Sequence, residues 1–378
     1  MKKHLHIGIV GFGAMGRTHA YSVTSLPYFY SPLPFSASVR GICTTDRDKT
    51  AQICDALGFA RAYADAYDMI ADPEIDVIDI CTPNNTHFEI ADAALDAGKS
   101  VLCEKPFTVS FEQAAALADK AQRKGLVCGV VYNNRHLAAI MRAKQLIDQG
   151  ALGRILSFSF HYRHDSDIDP TRTVGWKQDA TVCGAGTLYD LGSHAIDLCR
   201  HLCGELTSIS GKSHIAFDTH KQKDGTLWQT NADEAFYMTA TLASGAVGQI
   251  SVSKLAHGTE DGLTFEIFGT GGALRYSLAE CDILYYMDAN QPKLPLGGTA
   301  GFTAISASGR YPAPGGKFPA VKAPQGWLRG HIHGMYLYLD AVASGKHFSP
   351  DFCDGAQIQR IMKAAMQSDA QGGKEVQI

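Results

Sequence analysis

Lys105, Asp190 and His194 stand in two short segments whose residue types and spacing suit proton transfer. In GAGTLYDLGSH, residues 184–194, Asp190 precedes His194 by four positions, which places both on one side of a helix. A carboxylate beside an imidazole orients the ring and raises its basicity, as a proton shuttle near neutral pH requires. The same pair also occurs as an ordinary helix-surface pair. Gly184 and Gly186 just ahead of it favour the functional reading, because glycine lets backbone or a ligand approach closely. Lys105 lies in CEKPF, residues 103–107, directly after an apolar run that reads as a strand, Val101 to Cys103. A lysine at a strand end is commonly a solvated charge. Here an X-Pro bond follows it, a candidate for the cis form that would turn the amine toward a cleft. His194, Cys199, His201 and Cys203 do not read as metal ligands, since helical spacing spreads them around the axis, and no metal is expected.

The elements that must position these groups are alternating strands and helices. HIGIV, VRGICT, VIDICTP, SVLCEKP and LVCGVVYN read as buried strands, separated by helical stretches such as HFEIADAALDAG and SFEQAAALADKAQRKG, and this alternation predicts a doubly wound parallel sheet. The helix after Ser110 is the best defined, with Ser110 and Gln113 forming a capping pattern and Gly125 closing it. Where the first strand gives way to the first helix stands GFGAMG: Gly11 for a tight turn, Gly13 for close approach of a pyrophosphate, Gly16 for helix packed near strand. Phe12, Ala14 and Met15 fill the rest of that loop, and the helix N-terminus offers free N–H donors to phosphate. Thr82, Pro83, Asn84, His87 and Glu104 lie at the carboxyl ends of later strands, the edge where ligands bind in open α/β sheets. These, with the loop residues, are the candidate cofactor contacts. The second strand ends in Thr44, Thr45, Asp46 and Arg47, so Thr44 takes the place where an NAD site commonly has an acid; Asp46 can reach a ribose or simply cap the next helix, and Arg47 suits a 2′-phosphate. The absence of a basic residue at positions 44 and 45 favours NAD over NADP.

A run rich in aromatic residues and proline, YSVTSLPYFYSPLPFSASV, reads as an inserted loop between the first helix and the second strand. Beyond Tyr132 the runs ILSFSFHYRH, EAFYMTATLA, AVGQISVSKLA, LTFEIFG and ALRYSL alternate apolar and polar residues, as antiparallel strands with one wet or partner-covered face do. Two domains are expected, residues 1–133 and an α+β domain over 134–378, with a Pro- and Gly-rich excursion from Asp288 to Trp327. Asn133, Arg135, Tyr162, Trp176 and Lys177 are lesser substrate candidates, each also readable as packing or a solvated charge.

Composition narrows the partners. The chain has 378 residues and a net charge of -4 from 34 basic and 38 acidic side chains, with no basic excess of the kind nucleic acid selects. No apolar run is long enough for a membrane span and the N-terminus does not read as a signal peptide, so a cytoplasmic protein is expected. Its 10 cysteines include no CxxC pair and read as reduced core residues.

Taken in order, GFGAMG, CTPNNTH, CEKP and GAGTLYDLGSH resemble the glucose-fructose oxidoreductase, inositol dehydrogenase and rhizopine catabolism protein family, Gfo/Idh/MocA, over nearly the whole chain. The resemblance implies a Rossmann domain followed by a domain on a mainly antiparallel sheet that forms homodimers or homotetramers. It also implies hydride transfer between NAD or NADP and a secondary alcohol of a sugar, inositol or related polyol. Carried over by position, it assigns catalysis to Lys105, Asp190 and His194: His194 as base supported by Asp190, Lys105 on the reacting oxygen, with proton passage through Lys105 as the alternative. Two other functions share this framework: an NAD-dependent glycosidase working by transient oxidation and elimination, and a non-catalytic dinucleotide sensor.

Overall fold

The structure, a computed structural model, describes residues 2–169 and 171–378. Its chain divides into two compact units, residues 1–136 with 309–359 and residues 137–308 with 360–378.

The first unit is built on a six-stranded parallel sheet. Its elements run β1 (His4–Val10), α1 (Ala14–Phe29), β2 (Ser36–Cys43), α2 (Arg47–Leu57), β3 (Arg61–Ala62), α3 (Ala66–Ala71), β4 (Val77–Ile80), α4 (His87–Asp96), β5 (Ser100–Cys103), α5 (Phe111–Lys124) and β6 (Cys128–Val130). The strand order is β3-β2-β1-β4-β5-β6, every pair parallel, so the order reverses between β1 and β4. Leu5, Ile7 and Ile9 of β1 and all of β4 are enclosed, as strands covered on both faces must be. Helix starts follow the expected chemistry: Asp46 accepts the Lys49 amide at 3.0 Å, and Ser110 accepts that of Gln113 at 3.3 Å.

One expectation fails here. The aromatic, Pro-containing run is not a loop from its start, because α1 continues through Pro27 to Phe29. Proline falls in the last turn, where it removes one helical hydrogen bond, and packing outweighs that loss. Val23, Leu26, Tyr30 and Phe35 share one core with residues of a helix near the end of the chain, and the Tyr30 and Tyr336 rings stack at 3.9 Å.

The second unit begins with α6 (Ala138–Asp148) and continues through β7 (Ile155–Arg163), α7 (Ala180–Cys183), α8 (Ser193–Cys203), β8 (Leu206–His214), β9 (Thr219–Lys221), β10 (Leu227–Gln229), β11 (Ala235–Leu242), β12 (Val247–Ser253), β13 (Gly262–Gly269), β14 (Gly272–Ser277), β15 (Ile283–Asp288) and β16 (Thr303–Ser306). The chain then forms α9 (Gly326–Ser344), α10 (Phe352–Ala370) and β17 (Val376–Gln377). Nine strands make one sheet in the order β16-β15-β14-β13-β7-β12-β11-β8-β17. Its described pairs are antiparallel except β7 with β12. On β11 the even-numbered residues are buried and Tyr237, Thr239 and Thr241 face outward, the alternation read from the sequence. Residues 292–301 are exposed, in keeping with an excursion between β15 and α9. The expected division at 133/134 differs from the observed grouping because residues 309–359 return to the first unit, where Ile332, Met335, Tyr336 and Leu339 of α9 join the core of α1 and β1.

Candidate active site

In the first unit the glycine loop sits at the reversal point between β1 and β4. Gly11 has φ +87°, and a Cβ there would lie 2.6 Å from the Cys81 carbonyl oxygen; one on Gly16 would lie 2.2 Å from the Gly11 carbonyl oxygen. Both positions are closed to any side chain. Gly13 differs, for a Cβ there meets nothing within 4 Å, and Gly13 caps α1 with no side-chain acceptor. Open space in front of an uncapped helix N-terminus fits a dinucleotide pyrophosphate. Ala14 is exposed and Met15 half-buried beside it, whereas Phe12 turns inward against Phe59 with ring centroids 6.0 Å apart. At the end of β2, the Thr44 hydroxyl bonds that of Thr50 at 2.7 Å, Asp46 caps α2, and Arg47 is exposed.

Lys105 follows β5, and its peptide to Pro106 is cis. Its amide donates to the Glu104 carboxylate at 3.0 Å. Glu104 in turn faces His19 of α1: Oε1 lies 3.1 Å from Nε2, close enough for an ion pair though not aligned as a hydrogen bond. The other ring nitrogen, Nδ1, is 2.9 Å from both oxygens of Asp79 in β4. His19, Asp79 and Cys81 come within 4.8 Å of one another, a spacing that metal ligands share, but both ring nitrogens already face carboxylates, the arrangement of a buried imidazolium.

In the second unit, GAGTLYDLGSH is helical from Leu188, first as a π-turn over Leu188–Gly192 and then as α8. Such π-turns inside helices are frequent at functional sites. The segment is gripped by Asp233, whose carboxylate accepts the amides of Gly186 and Leu188, each at 2.8 Å. A Cβ on Gly186 would sit 2.0 Å from the Asp233 carbonyl oxygen, so the glycine read as permitting close approach permits it to protein backbone. Asp190 is flanked by two lysines: Lys177 Nζ at 3.0 Å and Lys254 Nζ at 3.1 Å. Lys254 is 3 % exposed. Burial presses its pKa down, yet Asp190 and Asp167 outweigh that and hold it above the usual lysine value. The His194 ring, 7 % exposed at the start of α8, meets the Tyr162 ring edge to face at 5.8 Å.

Several candidates turn out to be supports. His87 is fully enclosed, with ring nitrogens 3.0 Å from the Thr82 carbonyl and 3.1 Å from that of Pro106; it ties two strand-end segments together and presents no surface to a cofactor. Thr82 and Pro83 remain accessible while Asn84 is buried. Arg135 is buried with its guanidinium on Ser349 at 3.1 Å and Asp354 at 3.6 Å, contacts within the first unit. Asn133 is buried and lines a cavity of about 20 Å³ with His19, His136 and His331. Trp176 is half-exposed, with Lys177 Nζ 5.7 Å from its ring centroid. His19, Asp79, Asp233 and Lys254 join the site only in the folded chain and carry no motif of their own. An acid at Asp79 within the apolar run VIDIC, and a lysine directly after the strand VGQISVS, were the signals available.

The chain is similar along its length to known proteins. Residues 5–132 match the family described as "Oxidoreductase family, NAD-binding Rossmann fold", and residues 140–275 match the "GFO/IDH/MocA C-terminal domain". Levoglucosan dehydrogenase of Pseudarthrobacter phenanthrenivorans is 31% identical over 97% of this chain and 97% of its own. The scyllo-inositol 2-dehydrogenase (NAD(+)) of Bacillus subtilis is 27% identical over 72% of this chain and 74% of its own. Among solved structures, levoglucosan dehydrogenase in complex with NADH and levoglucosan superposes with a TM-score of 0.94 at 31% identity, covering 100% of both chains. Among the described residues no helix is long and apolar enough to cross a membrane. A parallel six-stranded sheet with its glycine loop at the reversal point, joined in one chain to a nine-stranded mixed sheet and matched along nearly its whole length, places this protein in the GFO/IDH/MocA family of oxidoreductases.

Proposed function

We propose that the protein is an NAD-dependent dehydrogenase that oxidises a secondary alcohol of a sugar, anhydrosugar or cyclitol. The observation that carries this reading is the match over 97% of the chain to an enzyme named for one such substrate, with Lys105, Asp190 and His194 present in the expected segments. Levoglucosan therefore leads the candidate substrates, followed by the inositols.

The roles follow from the chemistry of each group. When bound, the nicotinamide supplies the hydride acceptor. Phosphate binding falls to the amides at Gly13 and the first turn of α1, and ribose binding to Asp46 and Thr44. Lys105 donates a hydrogen bond to the reacting oxygen and stabilises the charge that grows there as the hydroxyl proton leaves. His194 accepts that proton, and Asp190 keeps the surrounding charge in place while itself held by Lys177 and Lys254. The outward face of the nine-stranded sheet supports assembly as a homodimer or homotetramer. It carries Ser157, Ser159, Tyr237, Thr239, Gln249 and Ser251, small or uncharged residues on adjacent strands.

A panel of levoglucosan, aldoses and inositols with NAD and with NADP tests the proposal through net formation of reduced cofactor. Turnover with NAD and an affinity for it at least about tenfold above NADP, about 1.4 kcal/mol, is expected. Release of a leaving group from glycosides with no net change in cofactor would instead assign the glycosidase reaction. Tight dinucleotide binding with neither activity would assign a sensor.

A further inference from the structure

We propose that His19 is a positioning residue for Lys105: its ring, held between the Asp79 and Glu104 carboxylates, fixes the Glu104 side chain that receives the Lys105 amide, and its positive charge offsets theirs beside the lysine. The proposal rests on the catalytic reading of Lys105.

The geometry forms a chain across three elements of the first unit. Asp79 projects from the middle of the buried strand β4 and is 0 % exposed, which without a cation would be costly. His19, 1 % exposed in α1, meets it at 2.9 Å on one nitrogen and reaches Glu104 at 3.1 Å on the other. Glu104 then uses its second oxygen, Oε2, to accept the Lys105 amide at 3.0 Å. A side chain that receives the amide of the next residue sets the backbone direction at that residue, and here it does so at the strand end from which the lysine projects.

Titratable groups face His19 from every side. β4 and the turn after it bring Asp79 and Cys81, whose sulfur is 3.3 Å from Nδ1; the end of β5 brings Glu104, itself next to Lys105; α9 brings His331, with ring centroids 5.9 Å apart; and the segment after β6 brings His136 to the same cavity. Burial presses His19 toward its neutral form, but Asp79 and then Cys81 prevail and hold it well above the usual histidine value. Burial alone would raise the Glu104 carboxyl; His19 overcomes this and keeps it below the usual value. Burial and the neighbouring His19 charge press His331 down to about 3, so it stays neutral and adds no competing cation. His19 therefore stands as the positive member between two carboxylates.

His19→Asn keeps a hydrogen-bond donor and removes the charge, leaving Asp79 and Glu104 uncompensated behind Lys105. Lys105 acts as the protonated donor, so these uncompensated charges raise its pKa, and we expect the basic limb of the kcat/KM profile to move to higher pH by about half to one unit, with dinucleotide Kd changed less than about threefold. Glu104→Gln removes negative charge from the same place and moves that limb the other way. NMR of ring-labelled wild-type protein reports the charge directly: the His19 ring should titrate above the ordinary histidine value. A uniform loss of rate at every pH, with the limb unmoved in both variants, would reduce His19 to a packing role and overturn the proposal. So would a His19 ring that titrates at the ordinary value, and this NMR measurement together with Glu104→Gln decides the matter even if His19→Asn does not fold. The Lys105 reading fails separately, through turnover that survives Lys105→Ala.

Discussion

The two units each hold a small set of opposed charges near their proposed catalytic residues, and the sets are mirror images. In the first unit a cation, His19, lies between two carboxylates. In the second a carboxylate, Asp190, lies between two lysines. Their access to water differs: His19, Asp79 and Glu104 are 5 % exposed or less, whereas Lys177 leaves 47 % of its side chain in solvent. The first set stands behind Lys105 and is a fixed support. The second includes a proposed catalytic residue, and one of its partners, Lys177, stays in contact with solvent. Enclosed charges of this kind hold geometry and are costly to break singly, while half-exposed ones hold it weakly.

The largest test of this contrast is chemical. Lys105→Ala and His194→Ala should each lower turnover by about 10²- to 10⁴-fold while dinucleotide binding persists, as loss of a proton-transfer or oxyanion-stabilising group does. Single-turnover and titration measurements check both parts, and unchanged turnover in either variant removes that residue from the mechanism.

Next in size is Lys254→Met, which strips the enclosed cation from Asp190 and should cost about 3–5 kcal/mol in urea unfolding as well as activity. Lys254→Arg should restore a good part of the stability. On the exposed side of the same carboxylate, Lys177→Met should cost less than about 1 kcal/mol. Equal losses from the two lysines would contradict the distinction between enclosed and open partners.

The smallest expected effect is on pH. His19 has a folded-state pKa raised above its unfolded value of 6.5, so the stability it contributes is full below about 6.5 and is lost as pH rises through the folded value. Glu104, lowered from 4.5, contributes stability that is present above about 4.5 and lost as pH falls through its folded value. Lys254 is raised from 10.5, so its contribution is undiminished at any pH below that. The difference in unfolding free energy between wild type and His19→Asn should therefore shrink above pH 6.5, whereas that between wild type and Lys254→Met should stay level to about pH 10. A flat His19 difference would show that the ring folds uncharged.

Much of the candidate site was legible because its residues sit at strand ends in short motifs. Gly11 and Gly16 are excluded from being anything else by contacts under 3 Å, and such local necessity leaves a mark in a linear pattern. His87 and Arg135 misled for the opposite reason: their types suit ligand binding, but carbonyls at 3.0 and 3.1 Å and an acid at 3.6 Å had already claimed them. The reach of α1 through Pro27 was hidden too, since the packing that outweighs a proline comes from α9, some three hundred residues later.

What the order of residues determined by itself was the local grammar: apolar runs long enough for strands, caps such as Asp46 and Ser110, and a glycine loop that only a turn from strand to helix can use. These depend on neighbours within a few positions, so composition and spacing suffice. Only the tertiary structure decided which charges face one another. His19 and Asp79 are 60 residues apart, and Asp190 and Lys254 are 64 apart (254 − 190). A buried ion has no local preference that a sequence pattern can carry, because its stability depends on the dielectric and the partner that the completed fold puts around it.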